Sequence, residues 1–254
     1  MSEELATTSG GALTALPDHL KNVAGHEGME NVRKKDLVLP RLTICQSGTP
    51  QRKKGNPLLI EGLEEGQFFN NVTNEIYGGK LQFISLVKTS SRILFRDLKE
   101  GGGILCRSLN GIDGGTISKT CDACPNSRWG IKGEPPACTE FMNSPVVIAG
   151  TKQLLVASWK ATALKPARTW LTKMDMLVEK WNKPLYAWVS EVTLQYSKND
   201  SGEFFVPTFN VKRWANAEEF EFAQKQYGEL KGQTIVVDDH DEQAGAEADE
   251  EAPF

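Results

Sequence analysis

Histidine is scarce in this chain. There are three in 254 residues, and His19, His26 and His240 all lie in the terminal stretches. The body therefore lacks the commonest general base and the commonest neutral metal ligand. It also lacks a G-x-x-x-x-G-K-[ST], a G-x-G-x-x-G and a G-x-S-x-G motif, which excludes a P-loop, a dinucleotide fingerprint and a nucleophile elbow. Adjacent acids such as Glu64 with Glu65, or Glu218 with Glu219, read as solvated faces or helix-start charges rather than as an acid/base pair. No apolar run approaches the roughly 20 residues that cross a bilayer. The first residues, MSEELATTSGGALTALP, carry acids where a secretory signal carries lysine or arginine. These absences predict a cytoplasmic binding protein with no membrane contact, and not an enzyme.

The formal charge of −4 conceals an uneven distribution. Residues 238–254, DDHDEQAGAEADEEAPF, hold eight acids and no lysine or arginine, and residues 1–30 hold five acids and one lysine. That leaves 28 basic against 20 acidic side chains in residues 31–237, about +8, before roughly −2 for a zinc ion held by four thiolates. The composition predicts a disordered segment over 1–30 with a short helix near 16–23, a basic domain over 31–237, and an acidic disordered tail over 238–254.

Cysteines stand at 106, 121, 124 and 138, within CRSLNGIDGGTISKTCDACPNSRWGIKGEPPAC. Cys121 and Cys124 form a C-x2-C turn, which presents two thiolates to one metal, and Cys106 and Cys138 flank it at similar distances. The intervening glycines and the Pro135, Pro136 pair supply turns and little core, so something other than burial must order the segment. One structural Zn2+ bound by all four thiolates in an insert over 104–140 is the leading reading. Two disulfides or a redox pair at Cys121 and Cys124 are the alternatives. Cys45 reads as a small buried apolar residue.

The rest alternates like a sheet protein. An extended segment over 37–45 enters a loop with Arg52, Lys53 and Lys54, either a phosphate contact or a solvated turn. Strands are expected near 66–79, over 80–88, 91–98, 145–149 and 153–159, then as a long pair over 185–197 and 203–212 joined by KNDSG, with a last strand at 234–237. Amphipathic helices are expected from Lys165 to Trp181 and over about 217–230. Short strands with an interrupting helix and one cysteine insert predict an α+β fold on a β-barrel of the oligonucleotide-binding (OB) type. An open antiparallel sheet with helices on one face is the alternative.

Cations and aromatics are interleaved throughout the body. Lys80, Phe83, Lys88, Arg92, Phe95 and Arg96 lie on the first strand pair. Trp159, Lys160, Lys165, Arg168, Trp170 and Lys173 surround the first helix start. Tyr186 and Trp188 open the late hairpin, and Lys212, Arg213 and Trp214 close it. Cations along a backbone with aromatics under bases hold single-stranded nucleic acid, each stack contributing about 1–3 kcal/mol. Alternation sends half of each strand inward, so only about a third of the aromatics are expected at the surface.

The ending DEEAPF resembles the C-terminal tips of single-stranded-DNA-binding proteins of bacteria and their phages. The segments VLPRLTICQSGTP, GQFFNNVTNEIYGGKLQFISL, CDACPNSRW and KPLYAWVSEVTLQYSKNDSGEFFVPTF are similar in cadence to phage-encoded members, some of which carry a cysteine zinc insert. The resemblance implies sequence-independent binding of single-stranded DNA in replication, recombination or repair, in the host cell cytoplasm. It also implies a tail that competes with DNA and docks replication or recombination proteins, with Asp249, Glu250, Glu251, Pro253 and Phe254 as the docking residues. A homodimer is compatible with it. A zinc-bearing adaptor for a polymerase or nuclease, with little DNA affinity of its own, is the competing reading.

Overall fold

The computed structural model describes residues 18–20, 38–199 and 202–232. Within these, ten strands join one mixed sheet and two α-helices pack against it, so the fold is α+β. The strands are β1 (Arg41–Ile44), β2 (Phe68–Asn70), β3 (Ile76–Gly78), β4 (Lys80–Ser85), β5 (Thr89–Phe95), β6 (Ile104–Ser108), β7 (Thr139–Ile148), β8 (Leu154–Lys160), β9 (Trp188–Asn199) and β10 (Gly202–Trp214). Their hydrogen-bonded order is β10-β9-β4-β7-β8-β1-β2-β3, with β5 and β6 branching from β7. That ladder is not closed, so the expected barrel is absent as a continuous hydrogen-bonded cylinder. The expected tail and the strand at 234–237 lie outside the described residues, as does nearly all of 1–30. Only Asp18–Leu20 is described there, as a single 3-10 turn.

The branch follows from the length of β7. Its first half pairs with β5 (Ser91↔Phe141) and its second half with β4 (Ile84↔Val147), while β8 covers its other edge throughout. β3 runs into β4 through Gly78 and Gly79, and Gly78 takes φ +75°, which suits glycine. One kinked stretch therefore pairs with β2 at its start and with β9 and β7 at its end.

Helix α1 (Leu164–Trp181) lies over the main core. Pro166 sits in its first turn, where the missing N–H leaves no intrahelical bond unmade, and Asn182 closes it in the left-handed region at φ 50°. Its buried residues Ala167, Trp170 and Met174 follow the helical period. They meet an aromatic cluster in which Trp170 lies 5.6 Å from both Phe83 and Phe209, and Trp159 lies 5.1 Å from Phe209. The Trp170 indole N–H donates to the Ser190 hydroxyl at 3.0 Å, so its one polar atom is satisfied.

Helix α2 (Ala217–Leu230) opens with a complete capping box, in which Asn216 and Glu219 satisfy each other's backbone N–H. It covers a second core of Ile84, Leu86, Val147, Tyr186 and Val189. A third, small core holds Cys45, Ile60, Leu63 and Phe69 under the loop between β1 and β2. Cys45 is fully buried, as expected, and that burial pushes its thiol up to about 11.

Candidate metal centre and nucleic-acid interface

The four cysteines come from three pieces of backbone. Cys106 lies on β6, Cys121 and Cys124 form a turn closed by Cys124 N–H donating to the Cys121 carbonyl at 3.1 Å, and Cys138 immediately precedes β7. Cys106 is paired with Leu94 of β5, so a strand and not a loop presents its sulfur. The turn is held on both sides. Cys121 N–H donates to Ile112 at 2.8 Å, Cys138 N–H to Asn126 at 2.8 Å, and the Ser127 hydroxyl to the Cys124 carbonyl at 2.9 Å.

All four cysteines line one cavity of about 20 Å³. That is space for one water-sized or ion-sized body. Among the described residues no group of three or more His, Cys, Asp or Glu side chains is drawn together as tightly as bound ligands are. The donor set still fits zinc in kind: four soft sulfurs, with no histidine or carboxylate among them. Glycine makes the approach possible. A Cβ on Gly115 would come within 2.7 Å of the Cys106 sulfur and 2.6 Å of the Arg107 carbonyl oxygen.

The electrostatics divide the set. Partial burial pulls the Cys106 thiol upward, but backbone N–H groups of Ile117 and Gly115, with Thr116, outweigh it and hold the thiol below its ordinary value. Burial pushes Cys138 up to about 11, with Arg92 opposing and the other three thiols adding to the rise. Charge on any of the other three sulfurs therefore works against charge on Cys138.

The expected interface residues separate into two groups. Phe83, Trp159, Trp170, Tyr186 and Trp188 are all buried, so no base can reach them, and their assignment as stacking residues is corrected. They face inward because strand alternation and the α1 period turn them toward the core, where aromatics bury the most area. Phe95 is half-buried. Trp214 is 47 % exposed. The cations behave better: Lys80, Lys88, Arg96, Lys165, Arg168, Lys173, Lys212 and Arg213 are exposed, and Arg92 and Lys160 half-buried. Several are ion-paired, Lys80 and Lys212 both to Glu191, Arg213 to Glu219, and Arg92 and Arg168 both to Glu140.

Sequence reasoning missed two exposed aromatics. Trp129 is 69 % exposed and Trp181 is more than half exposed, as is Tyr196 on the late hairpin, one of the aromatics interleaved with cations in the sequence. Trp129 had a legible signal, since it stands in a run of glycines and prolines with no apolar period to bury it. Trp129 also lines a groove of about 730 Å³ between the cysteine module and the start of α1, together with Lys165, Arg168, Arg92, Pro135 and the Glu140 carboxylate that pairs with both arginines. An indole and cationic groups along one groove are the pairing that a base with its phosphate requires.

The family model for the Pam3 phage gp34-like protein matches residues 8–236. The chain belongs to this phage protein family. No curated protein and no solved structure matches it. Within this phage family member, no described helix is long and apolar enough to cross a membrane.

Proposed function

We propose that this phage protein binds single-stranded DNA without sequence preference and acts in replication, recombination or repair, without being an enzyme. The observation that carries this reading is the groove lined by exposed Trp129 together with Lys165 and Arg168. A base stacks on the indole, and the cations meet the flanking phosphates. An OB-type barrel is the framework we assign, supported by the kinked β3–β4 stretch that pairs with β2 at one end and β7 at the other. Cys106, Cys121, Cys124 and Cys138 hold one structural Zn2+, which cross-links β6, the C-x2-C turn and the start of β7, and so fixes one wall of the groove. The acidic ending at Asp249, Glu250, Glu251, Pro253 and Phe254 competes with DNA for the cationic surface and recruits replication or recombination proteins.

Fluorescence anisotropy of a labelled dT oligonucleotide tests this, with full-length protein, with W129A, and with a chain ending at Val237. The expected result is salt-sensitive binding that tightens on truncation. W129A is expected to weaken it by about 1–3 kcal/mol, roughly 5- to 150-fold. No binding by any form would overturn the reading in favour of a zinc-bearing adaptor for a polymerase or nuclease. The adaptor reading has its own support in the apolar side chains that the cysteine module exposes, Ile112, Ile117 and Ile131 among them.

A further inference from the structure

We propose that Trp181 and Trp214 form a second base-stacking platform, and that single-stranded nucleic acid runs to it from the Trp129 groove along the exposed face of α1. This rests on the single-stranded-DNA reading above and gives it a path and a length.

The platform is held rigidly. Trp214, the last residue of β10, lies against buried Trp188 with ring centres 4.8 Å apart and planes 28° apart. Trp181, the last residue of α1, meets Trp214 edge-on at 5.8 Å, and the Lys180 ammonium lies 5.4 Å from the Trp181 ring. Both outer indoles are about half exposed, at 51 % for Trp181 and 47 % for Trp214. Two large apolar rings at fixed tilt, backed by a third, are a surface kept for a partner.

The surrounding charge selects the partner. Lys180 and Lys183 flank Trp181 in sequence, and Lys212 and Arg213 precede Trp214; all four are exposed, the latter two in ion pairs with Glu191 and Glu219 that a phosphate would compete for. An apolar partner helix or a second copy of this chain would have to desolvate that cationic rim. A polyanion whose bases carry π-faces matches both the rim and the rings.

The two aromatic sites lie at opposite ends of α1, with Lys165 and Arg168 at its start and Trp181 at its end. Between them Lys165, Thr169, Thr172, Lys173, Met176 and Lys180 are exposed and recur at helical spacing, which makes one stripe with the Glu179 carboxylate along its edge. Neither Lys165 nor Lys173 is ion-paired among the described residues, so both are available to phosphates. An 18-residue helix is about 27 Å long, which is about eight nucleotides at a stacked rise of about 3.4 Å.

The test is a length series, dT4, dT8, dT12 and dT16, titrated with full-length protein, with W181L/W214L and with W129A. Wild type is expected to gain at least about tenfold in affinity between dT4 and dT12, where both sites come within reach. W181L/W214L should keep the dT4 affinity and lose the gain, whereas W129A should weaken every length. Should the leucine variant lose its cooperative melt, K173E/K180E tests the same path from solvent-exposed positions, with a flattened length dependence and a shallower salt slope expected. If both sets of variants follow wild type at every length, the platform is overturned and the groove reading stands. If wild type binds no oligonucleotide, both fall. A wild-type dimer that W181L/W214L dissociates in sedimentation would reassign the platform to self-association and overturn the proposal.

Discussion

The sheet and the cysteine module are ordered by different physics. In the sheet, Phe68, Phe83, Phe141 and Trp159 are at most 2 % exposed, and hydrophobic burial is sufficient reason for the fold. In the module, only Ser108, Cys121 and Cys124 are buried between residues 104 and 140, and larger apolar side chains such as Ile112, Trp129 and Ile131 point outward. A segment that buries almost nothing apolar beyond two cysteines has no hydrophobic account of its shape. Turns and local hydrogen bonds supply it, and the proposed zinc would add a cross-link. The comparison teaches that the same chain orders its sheet by burial and its thin module by turns and local hydrogen bonds.

The largest test removes the cross-link. Full-length protein is expected to contain about one zinc per chain by elemental analysis, and C121S/C124S to contain none. Structural zinc stabilises small modules by about 10–16 kcal/mol, so the metal-free module should become open to trypsin at Lys119 and Lys132. The thermal transition of the sheet should move by only about a few degrees. A wild-type protein without metal whose module still resists trypsin would break the comparison.

The next effect falls on the sheet. Trp159→Ala empties a fully packed position beside Phe209 and is expected to cost about 3–5 kcal/mol in urea denaturation, with zinc content unchanged. Equal loss of zinc and sheet stability in this variant would show that the two regions fold as one unit.

The smallest effect concerns pH at the α2 cap. The Arg213 guanidinium holds the Glu219 carboxyl below its ordinary value, outweighing partial burial, and the Asn216 backbone N–H adds to the same direction. Because the folded value is depressed, this contribution is complete above the unfolded value of about 4.3 and is lost as pH falls further, through the folded value. Melting between about pH 3 and 5 should therefore decline less steeply in R213A than in wild type. Equal slopes would assign the acid sensitivity elsewhere, with Glu191 between Lys80 and Lys212 the next group to test.

Much of this was legible from the chain. Helix α2 spans the expected 217–230, and α1 begins one residue before the expected Lys165, because Pro166, the apolar period and the Asn216 cap are local signals. The long hairpin was equally plain from its alternation. What was not legible depends on contacts distant in sequence. PVVIA announced only half of β7, since its first half, TEFMN, is polar at intervals and becomes a strand by pairing with β5. The aromatic candidates failed for a related reason: composition identifies a tryptophan but not the face it takes. Trp159 and Trp170 are fixed inward by Phe209, which lies 39 or more residues away. The four cysteines singled out by their spacing do line one cavity, Cys106 reaching it from β6 and the others from turns and the start of β7.

One side chain at the seam of the sheet has a consequence for how the protein behaves in quantity. Gln46 donates its amide N–H to the Phe205 carbonyl at 2.8 Å and accepts the Phe205 backbone N–H at 2.8 Å. A primary amide here imitates a peptide unit and occupies the outer edge of β10 as a neighbouring strand would. Gly66 beside it has no side chain because any Cβ would strike the Phe205 ring. An open edge of this kind is a template on which identical molecules add strand to strand. Gln46 thus satisfies one N–H and one C=O of the β10 edge that another strand would otherwise pair with.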